Sequence, residues 1–148
     1  MVIVILAIIV VASTPFITTV LNAWVFDKAE RDMVFSARLS LNRMVREIRQ
    51  IKNSTDYITT WTQTEFNFTD MNNNVIDFRQ NSTQLLRNSD ELMSMLNSSG
   101  GLNFTYLSSS GSTAAEKRAI RMVRIRLNLA SGENNMVIES LARFRNIK

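Results

Sequence analysis

The chain opens on an apolar block and then changes to a helical rhythm. Residues 1–26 carry no charged side chain, and the opening run MVIVILAIIVV is wholly apolar. From Phe26 onward the apolar positions are Phe26, Ala29, Met33, Ala37, Leu41, Met44, Ile48 and Ile51. Steps of three and four residues draw one stripe along an α-helix. Lys28, Arg31, Arg38, Arg46 and Arg49 fall on other faces and read as a solvated surface. Residues 1–52 contain no Gly, and their one proline is Pro15. A single helix is therefore predicted there, apolar in front and amphipathic behind, on the order of 75–80 Å long at helical rise. That exceeds the width of any domain the rest of the chain can build, so the front must protrude. Met33, Ala37, Leu41, Met44 and Ile48 are the positions expected to pack on a sheet.

Past Asn53 the rhythm changes to period two. Strands are predicted at residues 57–62, 65–69, 74–79, 83–87, 102–107, 121–129 and 136–144, with 90–96 a strand or a helical turn and 114–119 a helical turn. The run MNNN at 71–74 reads as a turn. RMVRIRLNL alternates most clearly, placing Val123, Ile125, Leu127 and Leu129 on one face and Arg124 and Arg126 on the other. A helix followed by consecutive strands predicts an α+β fold, with an antiparallel sheet wrapped on one helix.

The apolar front, counted through Trp24, comes close to the roughly 20 residues that a membrane-crossing helix needs. Trp24 and Phe26 stand at its charged boundary, where amphipathic aromatics favour the membrane interface. A cleaved signal peptide would begin with a basic segment, and none is present. A plain anchor accounts for the hydrophobicity but not for the amphipathic continuation. Pro15 removes a helical hydrogen bond and predicts a kink. Ser13 and Thr14 are placed to satisfy the freed carbonyls, as happens where such a helix packs on other helices.

Composition removes whole classes of chemistry. The 148 residues include no Cys and no His, which excludes thiolate nucleophiles, thiolate zinc sites and imidazole bases. No glycine pattern cradles a phosphate and no carboxylate pair stands out for acid–base work. Neither an enzyme nor a cofactor is expected. The net charge of +4 is uneven: residues 1–52 sum to +3, 53–113 to −4 and 114–148 to +5. A basic C-terminal segment suits nucleic acid or anionic lipid, but no nucleic-acid motif accompanies it. It reads as a solvated strand face with an interface. Asp70, Asn72, Asn74 and Asp77 have the spacing of the start of a calcium loop. The glycine and terminal Glu are missing, and the competing reading is a hairpin turn built from Asn. Five Asn-x-Ser/Thr sequons follow from the Asn/Ser/Thr-rich composition.

Two stretches carry a resemblance. MVIVILAIIVVASTPF is similar to the hydrophobic core of type IV prepilins, including a proline placed like Pro15. ARLSLNRMVREIRQI resembles the helix continuation of minor pseudopilins and of minor pilins of the mannose-sensitive haemagglutinin pilus. VIDFRQNSTQLLRN, LNFTYL and RMVRIRLNL follow the strand order of the same proteins. The resemblance implies a type IV pilin-like α+β fold, with a long kinked N-terminal helix packed on an antiparallel β-sheet. It implies three regions: a transmembrane or filament-core half-helix at 1–24, an amphipathic half-helix at 25–52 and a periplasmic β domain at 53–148. Ile5, Ile9, Pro15, Phe16 and Leu21 would pack in membrane and filament. The partners would be other pilin-like subunits, reached through the N-terminal helix, and the bacterial inner membrane, with no nucleic acid. The function implied is that of a structural subunit of a type IV pilus or type II secretion pseudopilus. A stand-alone membrane-anchored periplasmic binding domain is the alternative. The basic leader, Gly-Phe junction and Glu of prepilins are not found, so the resemblance places the start of this element upstream of Met1.

Overall fold

The computed structural model describes residues 2–131 and 134–147. Side chains among residues 2–29 are described at Pro15, Thr19, Val20, Asn22, Trp24, Val25 and Lys28, and those of residues 131 and 134 lie outside the description. Two compact units divide the chain, Met1–Val34 and Phe35–Lys148. Helix α1, Val2–Ile48, contributes to both.

In the first unit the helical backbone continues through Pro15 without interruption. Pro15 is exposed, and the Thr19 hydroxyl donates to its carbonyl at 2.8 Å. This one-turn-back bond satisfies an oxygen that the helix shares with its side chains. Val20, Trp24 and Val25 are exposed, and the Lys28 ammonium lies 5.9 Å from the Trp24 ring centre. Met33 is buried.

The second unit is mostly antiparallel β. Its strands are β1 (Ile58–Trp61), β2 (Glu65–Thr69), β3 (Val75–Asn81), β4 (Gln84–Arg87), β5 (Asp90–Met93), β6 (Leu102–Leu107), β7 (Met122–Ser131) and β8 (Asn134–Arg143). β1 to β5 form one five-stranded sheet in sequence order, and β6 to β8 form a separate three-stranded sheet. Period-two alternation sorts each strand. Phe66 and Phe68 on β2, opposite Phe78 and Ile76 on β3, are buried on one face. Phe104 and Tyr106 on β6, opposite Ile125 and Val123 on β7, are buried on one face of the other sheet.

Rings join the two sheets. The Phe66 ring centre is 5.7 Å from that of Phe104 and 5.4 Å from that of Tyr106. Trp61 meets Tyr106 edge-on at 5.6 Å. Hydrogen bonds close the same seam. Gln80 on β3 accepts from the Leu102 N–H at 2.8 Å and donates to the Asn97 carbonyl at 2.7 Å. The Phe104 N–H donates to Gln63 O at 2.7 Å, and the Tyr106 hydroxyl to Thr62 O at 2.7 Å. Burial pushes the Tyr106 hydroxyl up, with the Glu65 carboxylate adding to the shift, so it stays a donor.

Within this unit the last turns of α1 are tied to the five-stranded sheet. Ala37, Leu41, Met44 and Ile48 are buried. Ser40 donates to Leu92 O at 3.2 Å, beside β5 residue Met93. Arg87 on β4 donates to Glu47 at 2.7 Å. Beyond the helix, Lys52 N–H donates to Thr69 O and Met71 N–H to Gln50 O, stitching the helix exit to the end of β2.

The expected fold class is therefore corrected. In place of one antiparallel sheet packed on a long kinked helix, eight strands in two sheets make up most of the second unit. The segment between β5 and β6 is the cause. Met95 at φ 71° and Gly100 at φ 69° take left-handed backbone, outside the extended region that a regular strand uses. Leu96 there pairs with Leu129 of β7 while its N–H still donates to Thr83 O beside β4, so the chain crosses from the first sheet to the second. Gly101 permits the close passage: a Cβ added to it would stand 2.7 Å from Leu96 Cβ.

Phe66 is fully buried where the two sheets meet. Phe66→Ala is expected to lower the unfolding free energy by about 3–5 kcal/mol. Val75→Ala, on an exposed side chain of the same sheet, should stay within about 0.5 kcal/mol. Denaturant unfolding of both variants checks the pair.

Candidate functional site

The loop with calcium-like spacing is a turn closed on its own backbone. Asp70 Oδ1 accepts from the N–H groups of Asn72 and Asn74, each at 2.8 Å, and Oδ2 accepts from the Asn74 side chain at 3.1 Å. Asn73 sits at φ 63° and donates to Asp70 O. A carboxylate so occupied directs its lone pairs inward, as in turns that Asx residues stabilise by themselves. The Asn73 side chain accepts from Lys52 Nζ at 2.6 Å, so the turn also holds the helix exit. Asp77 lies away from this turn, on β3 opposite Asn67, and pairs with Arg79 at 3.0 Å. The four positions are not brought together around one point. Among the described residues no group of three or more carboxylates could hold a metal ion.

Asp77 itself is unusual. It is buried, and its Oδ1 has no hydrogen-bond partner; the same holds for Asn67 Oδ1 across the strand. Burial raises the Asp77 carboxyl above its ordinary value, opposed by the charge and hydrogen bond of Arg79. Asn88, at φ 55°, buttresses it by accepting from the Asp77 N–H at 2.8 Å and donating its own N–H to Asp77 O at 2.7 Å.

Glu47 forms a second, half-buried charge cluster. It accepts from Arg43 at 3.0 Å one turn back and from Arg87 at 2.7 Å. A carboxylate with two guanidinium partners is charge-compensated, and its geometry is that of a fastening between helix and sheet.

A cavity of about 280 Å³ lies at the C-terminal end of α1, lined by Asn42, Val45, Arg46, Arg49, Gln50 and Arg145. Three guanidinium groups border it and no carboxylate does. Sequence reasoning assigned Arg46 and Arg49 to a solvated helix face and passed over Arg145. Only the return of the chain after β8, where Asn146 donates to Ile51 O at 2.9 Å, brings Arg145 to the helix. No periodicity announces that contact.

Of the helix positions singled out from sequence, Met33, Ala37, Leu41, Met44 and Ile48 are all buried. Pro15 is exposed, and the side chains of Ile5, Ile9, Phe16 and Leu21 lie outside the described residues. Among the described residues no helix is long and apolar enough to cross a membrane; most side chains of the expected span at 1–24 lie outside that description. On β7, Arg124 and Arg126 are exposed on the outer face of the three-stranded sheet, while Val123, Ile125, Leu127 and Leu129 are buried.

Asp77 yields a pH prediction. A carboxyl raised in the folded state adds stability that is complete below its unfolded pKa and is lost as pH rises through the folded one. Asp77→Asn removes this loss and supplies an N–H opposite Asn67 Oδ1. The stability of the variant relative to the parent should therefore rise between about pH 3 and pH 7. Thermal unfolding of both proteins across that range measures it.

No protein family matches the chain, and no similar protein was found among the curated proteins or the solved structures.

Proposed function

We propose that the chain is a structural subunit of the minor pilin or pseudopilin kind, acting by packing in a type IV pilus or type II secretion pseudopilus. One observation carries this reading. On α1, beyond the uncharged residues 1–26, Phe35 and Leu39 lie one turn apart and remain 64% and 54% exposed. They lie off the stripe that Ala37, Leu41, Met44 and Ile48 bury. A helix that buries one face in its own domain and keeps a second apolar face bare has surface left for another helix. Val20, Trp24 and Val25 add exposed apolar surface on the same helix nearer its start. The apolar front would reside in the inner membrane before assembly and among other such helices afterwards, with the β unit on the periplasmic side. The resemblance of MVIVILAIIVVASTPF and ARLSLNRMVREIRQI to prepilin helices supports the same role.

A membrane-anchored binding domain is favoured by a different observation, the cavity bordered by Arg46, Arg49 and Arg145. Three guanidinium groups suit an anionic ligand. Titration calorimetry with inorganic phosphate, on the full chain and on Arg49→Gln, tests it. Heat from phosphate that is lost in the variant supports that role.

For the assembly role, the full chain carrying Phe35→Glu or Ile9→Glu is expressed in a cell that makes pilin-like filaments. Co-purification with the other pilin-like subunits should fall by at least tenfold, because a buried unpaired carboxylate costs several kcal/mol. Phe35→Glu should unfold at the parent's temperature, since that side chain is exposed. Unchanged co-purification and unchanged filaments in both variants would overturn the assignment.

A further inference from the structure

β8 is the edge of its sheet, and its exposed edge carries few of the devices that keep edges apart. It is ten residues long and pairs with β7 over its whole length with no register shift. It contains no Pro, no Lys and no Gly. Protected edges use proline, charged side chains (lysine above all), bulges or short length, and of these β8 carries only the charges of Glu139 and Arg143. Val137 and Leu141 are both about half exposed. Among the described residues, no backbone hydrogen bond joins β8 to any element other than β7 and the strand approach at Arg121.

The backbone pattern fixes which groups are free. Phe144 N–H donates to Arg121 O, which makes that opposed pair hydrogen-bonded. In an antiparallel ladder hydrogen-bonded pairs alternate, so Ala142, Ser140, Ile138 and Met136 use their backbone groups on β7. Val137, Glu139, Leu141 and Arg143 therefore direct N–H and C=O outward. Their side chains share the outer face with Arg124 and Arg126, because Leu141 stands opposite Arg124 and Glu139 opposite Arg126.

We propose that β8 pairs antiparallel with β8 of a second copy of this chain about a two-fold axis at Leu141. Only registers that set odd-numbered residues against odd-numbered ones satisfy the free groups. An axis at Glu139 would oppose two carboxylates, and like charges directly opposite are destabilising. An axis at Ser140 would set Glu139 against Leu141 and leave no charge paired. An axis at Leu141 sets Leu141 on Leu141 and Glu139 on Arg143 twice. It also lines Arg126, Glu139 and the second copy's Arg143 in an alternating charge row. The three-stranded sheet then becomes six-stranded and continuous. Two strand edges bury less than the roughly 800 Å² per partner of a standard interface, so the pairing is reversible and concentration-dependent. It goes beyond the filament role and does not depend on it.

The chain has no cysteine, so single-cysteine cross-linking reports position cleanly. Opposed hydrogen-bonded residues lie about 5.5 Å apart at Cα, within the range a disulfide spans. Full-length Leu141→Cys, mildly oxidised in detergent, should give a disulfide-linked dimer, and Val75→Cys on the other sheet should not. In the Leu141→Cys background, Glu139→Arg or Arg143→Glu should cut dimer yield by at least about fivefold, since each sets like charges in opposition twice. Combining both substitutions should restore the yield to within about twofold. Circular dichroism identifies any variant that fails to fold, and the restored double variant guards against that outcome. Cross-linking at Leu141 no better than at Val75, or equal yield in the single charge variants, or no recovery in the double variant, each overturns the proposal.

Discussion

The second unit depends on one aromatic seam. Phe66, Phe104, Tyr106 and Trp61 lie with ring centres 5.4–5.7 Å apart in successive contacts, and they belong to different sheets. Each sheet presents one apolar face, and that face must be buried against another element. Offset and edge-on rings add to the area they bury. The seam also explains its polar companions. Gln80, Gln63 and Thr62 offer hydrogen-bonding groups where the two sheets meet without a shared ladder. Each supplies a partner that the β6 backbone or Tyr106 would otherwise lack on burial.

Around the seam, charge and turn chemistry set where the helix ends. Glu47 with Arg43 and Arg87 fastens its last turn, and the Asp70 turn fastens the chain just beyond. Charged pairs of this kind add little net stability when replaced by apolar groups, but they fix geometry. Asp70, Asn72 and Asn74, which their spacing offers for metal binding, are hydrogen-bonded to one another within the Asp70 turn. Of the Asp70 oxygens that calcium would need, Oδ1 is held by backbone N–H groups of the turn and Oδ2 by the Asn74 side-chain amide.

The sequence made some features legible and hid others for physical reasons. The alternation in RMVRIRLNL places Val123, Ile125, Leu127 and Leu129 inside and Arg124 and Arg126 outside, because side-chain direction follows period two directly. The three-and-four spacing of Ala37, Leu41, Met44 and Ile48 marks a buried helical stripe on the same ground. Which strands share a sheet was not legible, and the expectation of one sheet was wrong. Period two records faces and says nothing of neighbours. The break depends on left-handed backbone at Met95, a residue with no turn preference, and at Gly100. The Arg145 side of the basic cavity was equally hidden, since it arises from a contact between residues 95 positions apart.

Strand order also has a consequence for how the chain comes together. The five-stranded sheet is a meander of neighbouring hairpins, so its contacts are local and quick to form. The Phe66 ring lies on that sheet, but its cover includes Phe104 and Tyr106 of β6, which lies further along the chain. During synthesis the first sheet is complete while the side of Phe66 that β6 covers is still bare. Until β6 arrives, that patch is a sticky surface of the molecule, and the cell has a stretch of translation in which to keep it covered.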